Sequence, residues 1–355
     1  MTDFITVPKG LGNVVVDKTA IATTSNEGEL LYRGYKAVEL AEKKSFEDVA
    51  FLVVNGKLPT TEESRRFKES LIRNWGVSPS VRKVMEIVRE KNVMRNIRSM
   101  ISLYPFESKD EHEIFLKMES VLPQLCSDSY SISRSEGYRE PKGDGFSGRF
   151  YSLITGKVHE VNERMFQKLM ILYMEHEFNA STFALRVTAS TLADPVSAVT
   201  SALATLKGPL HGGANTEVLE YLADIKNKND AMAYVDEKIE TKGKIMGFGH
   251  RVYKTKDPRA QFVKNMLKEA APDHDLLLAA ENVEEYLWEK KKLPANVDLY
   301  AAILMNYLGI NEALYLPVFA ASRIFGWNAH YFEQVADNKI IRPAAEYVGP
   351  EGLSL

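Results

Sequence analysis

The sequence predicts an all-α protein with a small N-terminal β-excursion, on three observations. Beyond Tyr35, apolar residues recur at helical spacing along most of the chain. Glycine and proline cut that pattern into stretches of helix length, about ten to twenty residues each. Strand-like, β-branched text is confined to the part ahead of Tyr35.

The bulk numbers agree with a globular protein. At 355 residues the chain can form two domains, or one large domain with another inserted. A hydrophobic share of 45% with 26% charged residues excludes general disorder. The net charge of −3 gives no overall attraction to nucleic acid or an anionic membrane, so neither is expected as a partner and any anion site must be local. The single cysteine, Cys126, excludes an intrachain disulfide and reads as a small buried hydrophobe in a reducing compartment. The opening MTDFITVPKG has no cationic patch followed by an apolar run, and nowhere do about 18 apolar residues run together, so the expected location is cytoplasmic.

The elements follow in order. GNVVVDKTAIATT and GELLYRGY read as two or more short strands. AVELAEKKSFEDVAFLVVNGKLPT has helical spacing, ends on Asn55-Gly56 and meets a stop at Pro59. The Ser, Gly and Lys-rich stretch from 131 to 148 reads as a surface loop. The helix MFQKLMILYMEHEFNAS puts Met165, Leu169, Leu172 and His176 on one apolar face. Asp194 caps a helix with Pro195 at its first position, Val199, Leu203 and Leu206 form its stripe, and Gly208-Pro209 end it. His211 stands just beyond, followed by Gly212 and Gly213, with Asn215 placed to cap the next helix. AMAYVDEKIETK carries Met232, Val235 and Ile239 on one face and stops at Gly243, so His250 again follows a helix end. The charge-dense run Glu284 to Lys292 reads as a solvated helix face.

Several side chains invite chemistry without fixing it. His112, His159 and His274 lie among charged neighbours and read as surface residues. A histidine on an apolar face, such as His176, is more often a satisfied core residue than a catalytic one, whereas His211 serves equally in a plain turn. Glycines beside His211 would let a ligand approach closely. Asn296 caps a helix with stripe Val297, Tyr300, Leu304 and Leu308, leaving Asp298 in its first turn. A dipole-complementing aspartate is the simple account there, and a general base would need partial desolvation to offset the helix N-terminus. Phe319, Arg323 and Trp327 are four apart on one face, and a cation there needs an internal carboxylate or a bound anion. Metal spacing is absent: His176-Glu177 lacks a second histidine at Ala180. Gly247-Phe248-Gly249 lacks the third glycine of a dinucleotide fingerprint.

Taken together, EHEFNAST (175–182), KGPLHGGAN (207–215), GFGHRVYKTKDPRA (247–260), ANVDLY (295–300), FAASRIFGWNAHYFEQ (319–334) and IIRPAAEYVG (340–349) resemble the citrate synthase family, in the family's order. ELLYRGY and the following helical stretch resemble it more loosely. The resemblance implies a citrate synthase-like all-α fold: a large helical domain from 1–212 and 310–355, a smaller inserted helical domain at 213–309, and a minor N-terminal β-hairpin. It implies an acyltransferase that condenses acetyl-CoA with oxaloacetate and hydrolyses the product to citrate and CoA, with no metal or prosthetic group. Propionyl-CoA, giving 2-methylcitrate, is the near alternative, and a catalytically silent binding relative is the remaining one.

Residue by residue, His211, His250 and Asp298 match the family's catalytic trio. Arg259, Arg323, Arg342 and His176, with Phe319, match its oxaloacetate site. Met246, Gly247, Phe248 and Gly249 fall on the loop that receives adenine, and Lys254 falls where relatives keep a cation near CoA phosphate. The match of Arg342 implies a homodimer with a shared site. This chain departs from relatives at Ala344, where they carry an arginine, at Asn92-Val93 and at Ser147 to Phe150. These departures bear on acyl-CoA preference and phosphate contacts.

Overall fold

A computed structural model describes residues 5–25, 28–212, 214–250 and 252–354. Three short strands, β1 (Ala22–Thr24), β2 (Leu30–Tyr32) and β3 (Tyr35–Lys36), form an antiparallel sheet in that order. Thr23 pairs with Leu31 and Tyr32 with Tyr35. Apart from an isolated bridge between Phe248 and Ala295, all else that is regular among the described residues is helical, as the spacing predicts.

The stretch after Tyr35 divides into α1 (Ala37–Lys43) and α2 (Phe46–Asn55), because Ser45 accepts a bond from Asp48 N and starts a second helix. Gly56, at φ 79°, ends it. There follow α3 (Thr61–Arg73), α4 (Pro79–Val88), α5 (Val93–Leu103), α6 (Glu111–Arg134) and α7 (Gly145–Thr155). The expected loop from 131 to 148 is therefore mostly helix at its two ends, and only 135–144 link α6 to α7. Its serines misled: Ser131 and Ser147 are buried, and Ser133 Oγ returns to Tyr130 O at 2.7 Å, satisfying itself on the helix backbone. Asn92 caps α5 by accepting from Arg95 N.

The centre of this body is α16 (Tyr315–Ala336), packed against α2, α6, α8 (Glu160–Tyr173), α9 (Ala180–Ala189) and α10 (Pro195–Leu206). Trp327, Ile324 and Phe325 on α16 are fully buried, so it is a core helix with little surface of its own. Cys126 is buried as expected, and burial pushes its thiol up.

Five further helices pack mainly on one another: α11 (Ala214–Asp224), α12 (Lys228–Glu240), α13 (Pro258–Ala270), α14 (Asp275–Lys291) and α15 (Val297–Tyr307). They meet the rest through α13 on α1 and α8, and α11 on α16. The inward line of α12 is Ala231 and Val235; Met232, expected on that face, is 40% exposed. Glu284, read as solvated, accepts from Lys264 Nζ at 2.7 Å and from the Tyr300 hydroxyl. No helix of the described residues is long and apolar enough to cross a membrane.

Candidate active site

His211 owes its position to how α10 starts and stops. Asp194 accepts from Ser197 N at 3.1 Å with Pro195 first in the helix, and after Leu206 the chain turns so that His211 N donates to Gly208 O at 2.9 Å. Its Nε2 then lies 3.3 Å from Ser181 N and 3.0 Å from Ser181 Oγ, at the start of α9. A backbone N–H can only donate, so Nε2 is the bare acceptor and the ring proton sits on Nδ1. Burial, with the charge of Arg323, holds this imidazole at about 4, so it is neutral at physiological pH.

The glycine beside it serves packing. A β-carbon on Gly212 would collide with Leu206 O and the Leu316 side chain, so its absence lets the turn close on α10 and α16. For Gly212, that replaces the expected role of clearing a ligand's approach with one in packing. Gly213 lies outside the described residues. Asn215 stands second in α11 rather than ahead of it, and its side chain is outside the described residues.

His250 has the opposite tautomer. Val252 N and Tyr253 N donate to its Nδ1 at 3.1 and 3.2 Å, which leaves the proton on Nε2. Burial and then Arg259 hold it at about 4. His176 lies beside it, ring centroids 5.1 Å apart. His176 is buried as expected but is not on a helix: α8 ends at Tyr173, Glu177 takes φ 50°, and Asn179 caps α9 by accepting from Thr182 N. Burial, then Arg259, keeps its pKa well below the ordinary value. Its Nε2 is 3.2 Å from the Tyr253 hydroxyl.

Asp298 sits where the sequence puts it, with Asn296 Oδ1 accepting from Asp298 N at 3.0 Å. Burial raises its carboxyl to about 6, against the pull of Arg259 and Arg323. The desolvation that a base at a helix start requires is thus present.

The three arginines differ. Arg259 is buried and bidentate on Asp257, Nε to Oδ1 at 3.0 Å and Nη2 to Oδ2 at 2.9 Å; Asp257 Oδ2 also accepts from Val297 N at 3.0 Å. This pair ties the start of α13 to the start of α15 beside Asp298. Arg323 is 1% exposed, donates Nε to Tyr173 O at 2.7 Å and stands 4.4 Å over the Phe319 ring. No carboxylate of the described residues forms an ion pair with it. Phe319 in turn faces His211 edge-on at 6.4 Å. Arg342 lies exposed in the extended segment after α16, and no hydrogen bond, ion pair or ring contact among the described residues joins it to the others.

A cavity of about 820 Å³ has His211 and Asp298 on its wall with Met246, Gly247, Phe248 and Gly249. The loop is stitched to α15: Gly249 N donates to Pro294 O, Asn296 N to Gly247 O, and Asn296 Nδ2 to Gly249 O. Gly247 has φ 85°, and a β-carbon there would stand 2.9 Å from Leu299 Cβ. Its glycine is needed for this turn and contact. Lys238, Lys242, Lys244 and Lys291 also line the cavity, whereas Lys254 does not; it donates Nζ to His250 O at 3.3 Å.

Sequence reasoning missed several of these groups. The cavity lysines come from the ends of α12 and α14, so no spacing marks them. Ser181 and Tyr253 acquire their importance only through tertiary contact. Behind His176 a buried chain runs from Arg186 Nη1 to His330 Nδ1 at 3.2 Å and from His330 Nε2 to Glu175 Oε1 at 2.9 Å. Arg186 is also bound to Glu333 and Asp17. Glu175 in EHEFNAST and the histidine of FAASRIFGWNAHYFEQ were visible as residue types, but their pairing was not.

The family described as "Citrate synthase, C-terminal domain" matches residues 10–344. A 2-methylcitrate synthase of Shewanella oneidensis is 38% identical, over 96% of this chain and 94% of that protein. A citrate synthase from Thermotoga maritima has the same fold, with a TM-score of 0.92 at 36% identity, covering 99% of this chain and 98% of that one. The citrate synthase of Thermoplasma acidophilum, solved as a ternary complex with carboxymethyl coenzyme A and oxaloacetate, follows at TM-score 0.90 and 30% identity, over 98% and 97%.

Proposed function

We propose, since this chain belongs to the citrate synthase family, that it condenses a short acyl-CoA with oxaloacetate and then hydrolyses the thioester, using Asp298, His211 and His250. The observation that carries the reading is the opposed tautomers of two neutral histidines: His211 has its proton on Nδ1 and His250 on Nε2, each fixed by a backbone N–H on the other nitrogen.

Asp298, raised to about 6 by burial, takes a proton from the carbon next to the acyl-CoA carbonyl. His211 Nδ1–H hydrogen-bonds the thioester oxygen as negative charge gathers there. A neutral donor suits an enolate without protonating it fully. His250 Nε2–H polarises the keto oxygen of oxaloacetate, and the new carbon–carbon bond forms between the two. Water then cleaves the thioester and CoA leaves. No step calls for a metal or prosthetic group.

The substrate dianion is assigned to Arg259, Arg323 and His176, with Phe319 as the apolar wall. Arg323 supports this, since it is a buried cation with no ion pair among the described residues. CoA is assigned to the 820 Å³ cavity, with its adenine on Met246 to Gly249 and its phosphates among the cavity lysines; Lys254, which does not line the cavity, is assigned a weaker phosphate contact. Closure of a smaller domain at 213–309 on a body of 1–212 and 310–355 would bring Asp298 and His250 to His211. Arg342, exposed on the C-terminal segment, is assigned to the site of a second subunit in a homodimer.

The acyl group is the open choice between acetyl and propionyl. The name 2-methylcitrate synthase of the Shewanella oneidensis relative supports the propionyl reading, and the name citrate synthase of the Thermotoga maritima neighbour supports the acetyl one. One methylene is discriminated by about tenfold to two-hundredfold at most in an apolar pocket. CoA release with oxaloacetate, measured for both thioesters on one preparation, decides: the larger kcat/KM names the substrate, and no release with either overturns the reading.

A further inference from the structure

Tyr253 stands among the assigned oxaloacetate groups, and nothing above gives its hydroxyl a task. Its backbone N–H fixes the tautomer of His250. Its ring lies 4.6 Å from the His250 ring and 5.6 Å from that of His176, with the Arg259 guanidinium 5.7 Å from its centroid. Its hydroxyl reaches His176 Nε2 at 3.2 Å. The residue is 3% exposed. One side chain thus touches two of the groups assigned to the dianion, His176 and Arg259, and the histidine assigned to its keto oxygen.

Tyr32, also buried close by, makes a useful contrast. Its hydroxyl faces two carbonyl oxygens, Ile171 O at 3.1 Å and Leu172 O at 3.2 Å, and accepts from Glu175 N. Carbonyls can only accept, so the Tyr32 proton is committed to the backbone. Tyr253 faces an imidazole and, beside it, the Thr24 side chain, each of which can donate or accept. The pair holds two mobile protons, one on the phenol and one on the neutral ring, and their mutual bond uses one. When His176 Nε2–H donates into the hydroxyl, the phenolic proton is left to point at a ligand. A dianion held by Arg259 and Arg323 selects that orientation electrostatically.

We propose that the Tyr253 hydroxyl is a hydrogen-bond donor to the dicarboxylate substrate, aligned for it by His176. This rests on the proposed function, in deepening its oxaloacetate site. Burial pushes Tyr253 up to about 12, so the phenol keeps its proton throughout the working range. It would add to binding of the four-carbon acid and leave CoA untouched, because Tyr253 does not line the large cavity.

The test is Tyr253→Phe, which keeps the ring and its packing. Oxaloacetate is titrated calorimetrically onto wild type and variant, and KM and kcat are measured for both substrates. The expected result is a rise of about tenfold to a hundredfold in the oxaloacetate Kd and KM, the loss of one hydrogen bond to a charged group. KM for acyl-CoA and the melting temperature should hold. Unchanged oxaloacetate affinity overturns the proposal, as does a loss confined to kcat or an equal rise in both KM values. Wild type that binds oxaloacetate without releasing CoA overturns the proposed reaction alone, and the Kd ratio still judges Tyr253. Wild type that binds no oxaloacetate overturns both.

Discussion

The two histidines assigned to catalysis are held by different kinds of structure. His211 depends on a tertiary contact: its Nε2 is engaged by Ser181 at the head of α9, thirty residues earlier in the chain. His250 depends on its own loop: the two donors to Nδ1 are two and three residues after it. The outcome is the same, a neutral ring with a defined proton, but on opposite nitrogens. The contrast teaches that a local turn can preset one donor by itself, whereas the other exists only once α9 and α10 have packed. Neither depends on a charged neighbour for its proton, and both are neutral because burial and nearby arginines disfavour the cation.

Replacing either ring should break catalysis most strongly. His211→Ala and His250→Ala are each expected to lower kcat by about a hundredfold to a thousandfold, as for loss of a positioned donor to a developing oxyanion. The two should separate in KM: His250→Ala raises it for oxaloacetate and His211→Ala leaves it near wild type. Steady-state kinetics with each substrate varied in turn checks this, and identical profiles would erase the distinction between the two regions.

The pH profile comes next. Asp298 must be ionised to act, and its carboxyl is raised to about 6, so kcat/KM is expected to fall as pH drops through that value. Below it the loss approaches about tenfold per pH unit for a single required base. Both histidines, at about 4, stay neutral over the same range and add no second limb there. A profile flat from pH 7 to 5 would contradict the assignment.

Smaller effects probe the supports. Lys242→Ala should raise KM for acyl-CoA about threefold to tenfold, the scale of one partly exposed phosphate contact, and the increase should shrink at high salt. Lys254→Ala, outside the cavity wall, should raise it less. Smallest of all is Ser181→Ala. It removes the hydroxyl but keeps the backbone N–H that sets the His211 tautomer, so kcat should fall by no more than about threefold. A hundredfold loss would mean that the side chain, not the backbone, fixes the ring.

The same contrast explains what was legible in the sequence. Helix ends carry local chemistry, so Asp194-Pro195, Gly208 and the cap at Asn296 placed His211 and Asp298 correctly from text alone. The β-excursion was legible as two or more short strands broken by turn residues, and the structure resolves it into three. His176 was read on the right side of the core but the wrong element, because the apolar period continues past Tyr173 while the backbone turns at Glu177. The glycines near both histidines were visible, but the atoms their missing β-carbons face belong to Leu206 at the end of α10 and to Leu316 and Leu299, the last two distant in sequence. Ser181, Tyr253 and the Arg186–His330–Glu175 chain join residues up to 155 positions apart, and no spacing rule reports such a meeting. The resemblance supplied the roles, and the geometry supplied the tautomers and the raised carboxyl that those roles need.

The central claim is that Asp298 is the base, and the most direct measurement is CoA release by Asp298→Asn with oxaloacetate and the preferred acyl-CoA. The amide keeps the shape of the carboxylate but cannot take a proton, so turnover should fall at least about a hundredfold while calorimetric binding of oxaloacetate persists. Wild-type turnover in that variant would contradict the account.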